Sequence, residues 1–133
     1  MKQLILLFFL TFSSYTFSQV EQIERWKLYP TDNMYTFIKL DTATGQMEIV
    51  QWSLETETRF TYLLNTDILI PDFDWETWDL ESINEEAGRF KLYPTDNTYT
   101  FLLLDVIDSW TYQVQWSQNL EERFVVKIKP GLF

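Results

Sequence analysis

The sequence predicts a mainly β protein: two tandem four-stranded antiparallel units packed about a pseudo-twofold axis, as a sandwich or a partly closed barrel. Three observations predict it. Residues 25–60 (RWKLYPTDNMYTFIKLDTATGQMEIVQWSLETETRF) recur as residues 89–124 (RFKLYPTDNTYTFLLLDVIDSWTYQVQWSQNLEERF) without a gap, at an offset of 64 and with 20 of 36 positions identical. Self-similarity of that length marks a duplicated structural unit. Within each copy, apolar and polar residues alternate with the period of a half-buried strand. Turn-forming residues separate the alternating stretches. Two such units cannot each bury both faces alone; packing one against the other is the simplest solution, and two lobes joined by the acidic segment between the copies are the other option. Two blades are too few for a propeller in one chain, since propellers need ~4–8.

The elements follow in order. The chain opens on Met1-Lys2-Gln3, an apolar run from Leu4 to Leu10, and a small polar stretch from Thr11 to Ser18. This is the order of a secretory signal peptide. Thr16 and Ser18 fit the small-residue places before a cleavage site, so residues 1–18 are expected to be removed. The apolar run is shorter than the ~20 residues that span a bilayer. The expected product is exported to the periplasm or beyond, with no membrane insertion. No Cys is present to carry a lipid or form a disulfide.

The first repeat, taken with its flanks as residues 19–64, is expected to hold strands at Arg25–Tyr29, Tyr35–Leu40, Gln46–Trp52 and Arg59–Leu64. Pro30-Thr31-Asp32-Asn33 joins the first two, with Pro at a corner and Asp and Asn bonding their own backbone. Asp41-Thr42-Ala43-Thr44-Gly45 is a hairpin signal, with Gly free to take positive φ. Residues 65–88 form a linker with eight acidic residues and no basic one. A short helix is expected at Asp74–Glu81, with Asp74 as its N-cap and Trp75 and Trp78 docked on the sheets.

The second repeat, residues 89–133, supplies the same four strands. Ser109 replaces the turn glycine. Trp110, Tyr112, Val114 and Trp116 share one strand face. In the last strand Phe124, Val126 and Ile128 are expected inward, with Lys127 and Lys129 outward. Leu102-Leu103-Leu104 predicts burial on both faces.

The string LYPTDN, followed by an aromatic-rich strand and then by LD and VQW, resembles a group of small exported bacterial proteins. These carry one or two copies of a pattern close to R-[WF]-x-L-[YF]-P-T-x-N-x-[YW]-x-F-x-L-L-D-x-x-x-G-x-x-W-x-V-Q-W. Arg25, Leu28, Tyr29, Pro30, Thr31, Asn33, Tyr35, Phe37, Leu40, Asp41, Gly45, Val50, Gln51 and Trp52 meet it, and the second copy supplies Arg89 through Trp116, with Ser109 departing at the glycine and Tyr112 standing at the tryptophan place. Met47 and Glu48 depart from it in the first copy. The resemblance covers both repeats and neither the leader nor the linker. It implies export and the β-repeat, and it carries no activity across.

Composition narrows function. With Lys2 removed in the leader, 9 basic residues face 20 acidic ones, a net charge of about −11. That sign opposes nucleic acids and anionic lipid surfaces. With no His and no Cys, triad-type nucleophilic sites and nitrogen- or sulfur-ligated zinc sites are excluded. Neither phosphate-binding glycine motif occurs. Carboxylate chemistry remains, and the repeat relates Asp32 to Asp96, Asp41 to Asp105, and Glu57 to Glu121. Turn and hairpin roles account for the aspartates among them. Asp72, Asp74 and Glu76 suit calcium by ligand type, but the EF-hand pattern fails at Thr77 and Ile83. No catalytic, metal or cofactor site is therefore assigned.

The recurring arginines Arg25, Arg59, Arg89 and Arg123 read as salt-bridged strand edges. The expected binding residues are Asp32, Asn33, Gln51 and their counterparts Asp96, Asn97 and Gln115, with a protein or a glycan as partner. The expected function is an exported, non-enzymatic binding module, with an inhibitor or immunity protein for a basic partner as one version. A carboxylate-only glycan hydrolase and a structural envelope protein are the alternatives.

Overall fold

Each repeat folds as a four-stranded antiparallel meander. The computed structural model describes residues 23–131, so the predicted leader lies outside the described residues. The first sheet runs β1 (Trp26–Pro30), β2 (Thr36–Asp41), β3 (Met47–Gln51) and β4 (Phe60–Asn65). The second runs β5 (Phe90–Pro94), β6 (Thr100–Asp105), β7 (Thr111–Gln115) and β8 (Phe124–Lys127). Strand order equals chain order in both, as short hairpin connections dictate. Pro30 and Pro94 end edge strands, where a missing N–H costs no ladder bond. Among the described residues no strand pairing joins the sheets, so they form an open sandwich rather than a barrel. No helix among them is long and apolar enough to cross a membrane.

Identical residues build each sheet in the same way. The Thr31 hydroxyl donates to the Thr36 carbonyl at 2.8 Å and accepts from the Asn33 N–H at 3.2 Å, and the Asn33 Oδ1 accepts from the Tyr35 N–H at 3.0 Å. Thr95 and Asn97 repeat these bonds at 2.7, 3.2 and 3.0 Å. The Trp52 and Trp116 indoles donate to the Met34 and Thr98 carbonyls, and each ring tilts against the tyrosine of its own copy, Tyr35 or Tyr99. Asp41 Oδ1 accepts from the Ala43 N–H, as Asp105 Oδ1 does from the Ile107 N–H, both at 3.0 Å.

The sheets stack front to back. Register places Thr36, Ile38, Leu40, Met47 and Ile49 on one face of the first sheet, and this face is buried. In the second sheet the buried residues are Phe90, Leu92, Phe101, Leu103, Val114 and Trp116. Their repeat counterparts (Trp26, Leu28, Phe37, Lys39, Val50 and Trp52) lie on the opposite, outward face of the first sheet. Both buried sets belong to one core cluster. A twofold axis would bury the same face of each copy, so the sandwich is instead a head-to-tail stack. The reason is visible in the residues that differ. Lys39 and Glu48, paired as an ion pair, stand where the second copy has Leu103 and Tyr112, so that face of the first sheet stays wet. Thr111 and Gln113 stand where the first copy has Met47 and Ile49.

The stretch where the copies share no residue is where their surroundings differ. Asp41 to Gly45 is a buried turn, because the linker and the second repeat cover it. The Leu69 N–H donates to the Thr44 carbonyl at 2.8 Å, and the Phe90 N–H donates to the Thr42 carbonyl at 2.8 Å. Gly45 has φ +81, and a Cβ there would sit 2.9 Å from Leu69. The matching turn, with Val106, Ile107 and Ser109 (φ 58), is exposed.

Two local expectations need correction. The linker helix is α1 (Leu80–Glu85), not Asp74–Glu81. Asp79 caps it, its Oδ1 accepting from the Ser82 N–H at 2.8 Å, whereas Asp74 holds a single turn through Glu76 and Trp78. Trp78 packs on the core as expected, but Trp75 points out. In β8, Val125 rather than Val126 packs inward: Val114 pairs with Val125, so Val126 falls on the outer face and Ile128 beyond the strand is also exposed. Of the three leucines of β6, Leu103 is fully buried and Leu102 and Leu104 are half-buried on the outer face.

Candidate functional site

The six expected binding residues divide by role. Asn33 and Asn97 spend their carbonyl oxygens on the turn backbone. Gln51 and Gln115 donate to the carbonyls of Thr58 and Glu122, tying β3 and β7 to the short 3₁₀ turns at Thr56–Thr58 and Leu120–Glu122. Gln51 also accepts from Gln118 of the second repeat at 3.3 Å, so it sits at the rim between the sheets. Gln115 is on the outer face. Asp32 and Asp96 are exposed at the turn tips, with no hydrogen bond among the described residues. The structure therefore does not gather the six into one site.

The recurring arginines also divide. Arg25 forks onto Asp41, at 2.7 Å from Nη2 to Oδ2, and donates to Asn84 of α1 at 2.7 Å. Arg89 binds Asp105 at 2.9 Å, Asp108 at 2.7 Å and Glu86 at 3.3 Å. Asp41 and Asp105 are wholly buried, and such carboxylates require charge-paired donors. For Arg25 the hydrogen bonds it donates to Asp41 are the main cause of a pKa above the ordinary value. For Arg89, burial is the largest influence and opposes the charge, but Asp105, Glu86 and Asp108 outweigh it and the pKa again rises. Both aspartates are thus closed structural counter-ions.

Arg59 and Arg123 make no salt bridge among the described residues, which corrects the reading of them as ion-paired edges. Each donates to two successive carbonyls just ahead of its 3₁₀ turn: Ser53 and Leu54 at 2.8 and 3.1 Å, and Ser117 and Gln118 at 2.6 and 2.7 Å. The guanidinium fork suits two successive carbonyl oxygens. Arg123 also lies over the Tyr62 ring.

Nearly everything the two copies share is consequently scaffold, and the surface with chemistry to spare is the unrepeated linker. Asp67, Asp72, Asp74, Glu76, Asp79, Glu81 and Glu85 are all exposed, and among the linker acids only Glu86 has an ion-pair partner within the described residues. Asp79 titrates below the usual carboxylate range, chiefly because the Ser82 N–H bonds it. Within this acidic stretch Trp75 is 71% exposed and Leu80 is 67% exposed. Phe73 anchors the group, packing on the core while meeting Trp75 edge-on at 4.8 Å and Trp78 at 5.5 Å. An open groove runs between Gln46, Asp67, Ile70, Asp72, Phe73 and Trp75. Asp72, Asp74 and Glu76 do not converge: among the described residues no three His, Cys, Asp or Glu side chains are placed to hold a metal ion.

The sequence signal for this surface was present, as a run of acids interleaved with aromatics, but the expectation of a docked helix hid Trp75. Compared with protein-family models, with curated proteins and with solved structures, the chain matches none.

Proposed function

We propose that the chain is an exported, non-enzymatic binding module whose partner is a basic protein, in the manner of an inhibitor or immunity protein. The observation that carries this reading is the linker: exposed carboxylates without cationic partners among the described residues, around a projecting Trp75. A net charge of about −11 beyond the leader raises the encounter rate with a basic surface. A projecting aromatic supplies the anchor that charge alone lacks, because tryptophans dominate the energetics of many interfaces. Cations favour an aromatic face as well as a carboxylate, so both features select the same kind of partner.

The carboxylate-enzyme reading finds no support in the most deeply buried acids. Asp41 and Asp105 are engaged by arginines and turn N–H groups, leaving neither poised to exchange a proton with a substrate.

The test is affinity capture on immobilised protein, from an envelope extract and culture medium, at low and high salt. One stoichiometric basic protein, released by salt and lost with Trp75→Ala, is the expected result. A retained partner indifferent to both salt and Trp75→Ala would overturn the reading.

A further inference from the structure

We propose that the chain associates with copies of itself head to tail, through the two sheet faces that its internal stack leaves open. The intrachain interface shows what a repeat-on-repeat contact requires. The front of the first sheet (Ile38, Leu40, Met47, Ile49) covers the back of the second (Phe90, Leu92, Leu103, Val114). The chain thereby keeps one unused back and one unused front. The unused back is that of the first sheet, with Trp26, Leu28 and Leu63 exposed beside Phe37 and Val50. The unused front is that of the second, with Val126 exposed beside Leu102, Leu104 and Phe124, and with Val106 and Ile107 projecting at its turn.

The backbone carries the same complementarity. The internal stack is pinned by the Phe90 N–H on the Thr42 carbonyl at 2.8 Å. The repeat equivalents of these groups are the Trp26 N–H, at the start of one open face, and the Val106 carbonyl, at the turn of the other. A contact that uses different faces on its two sides is heterologous, and it adds copies until the stack closes or continues.

The polar changes on the open faces fit each other. Lys39 and Glu48 replace apolar residues on β2 and β3, and Thr111 and Gln113 replace apolar residues on β7. In the internal stack β4 approaches β8, and the head of β5 meets the turn between β2 and β3, so equivalent strands of the two sheets run over one another. A second copy would therefore set the Lys39–Glu48 pair against Thr111 and Gln113, polar centre on polar centre. Such an interface is wetter than the internal one, so association is reversible and depends on concentration. The inference rests on the sheet faces and is independent of the linker.

Sedimentation of the purified chain over a wide concentration range tests it. The expected result is a mass that rises with concentration. Leu28→Arg spoils one face and Val126→Arg the other; both side chains are exposed, so circular dichroism should match the parent. Each variant alone is expected to stay monomeric, and an equimolar mixture to form a one-to-one dimer, because each retains the face the other lost. A chain that is monomeric at every concentration, or variants that associate as the parent does, would overturn the proposal.

Discussion

Leu28 and Leu92 occupy the same place in the repeat, 64 residues apart in identical KLYPTDN strings, yet Leu28 is 60% exposed and Leu92 is 4% exposed. The difference is positional. Leu92 lies on the back of a sheet that has a neighbour behind it, and Leu28 lies on the back of a sheet that has none. Leu92→Ala is expected to cost about 2–5 kcal/mol, the range for truncating a buried leucine. Leu28→Ala should cost less than about 0.5 kcal/mol, as for other surface changes. Urea unfolding of the two variants checks the contrast.

Arg89 holds a wholly buried Asp105. Arg89→Met strands that carboxylate, and a loss of about 3–5 kcal/mol is expected. Adding Asp105→Asn should recover part of the loss, since no charge is then left unpaired. Arg25→Met should cost less than Arg89→Met, because the Arg25 side chain is partly exposed and water can replace it. Chemical denaturation of the two single variants and the double variant measures these terms.

Gly45 and Ser109 share a turn position and a positive φ, but only Gly45 is covered by Leu69. Gly45→Ala is expected to destabilise by at least about 1–2 kcal/mol, the cost of a left-handed non-glycine residue, with the contact on Leu69 added. Ser109→Gly should be neutral or stabilising. Thermal unfolding of both distinguishes a local φ effect from the packing of the linker.

The Thr36 hydroxyl is buried with no hydrogen-bond partner among the described residues. Thr36→Val keeps the shape and removes an unsatisfied group, so stability should rise by about 1 kcal/mol. A loss on this substitution would mean that the hydroxyl has a bonding role.

Burial raises the pKa of Tyr29, Tyr62 and Tyr112 above the ordinary tyrosine value of 10.0. An acid whose folded pKa is raised binds its proton more tightly in the folded state. Its contribution is fully present below the unfolded pKa and is lost as pH rises through the folded one. Ultraviolet titration should show these three ionising above the ordinary tyrosine value, with stability falling as they do. Tyr62→Phe should flatten that alkaline decline.

Strand positions were legible because period two and turn chemistry are local signals. All eight expected strands formed, each within one residue of its expected ends except β8, which stops two residues short of Lys129. The stacking direction was not legible from the identical residues, since Leu28 and Leu92 carry the same side chain into different surroundings. It was encoded in the differences: Lys39 against Leu103, Glu48 against Tyr112, Thr111 against Met47 and Gln113 against Ile49 mark which faces meet water. The β8 faces were misread because Val125 and Val126 are adjacent valines and only cross-strand register separates them. The expected binding residues were drawn from the repeat's identities, and identity here reports scaffold: Asn33, Gln51 and Arg59 recur because each sheet needs them.

The head-to-tail stack is the claim on which the rest stands, and the absence of cysteine makes it directly measurable. Single-cysteine variants at Leu28, Leu92, Leu40 and Leu104 would be labelled with a thiol reagent in dilute native protein. The stack predicts slow labelling at positions 92 and 40, and faster labelling at their repeat partners 28 and 104. Equal rates within each pair, both protected or both reactive, would show that the two sheets meet by equivalent faces and would contradict the account.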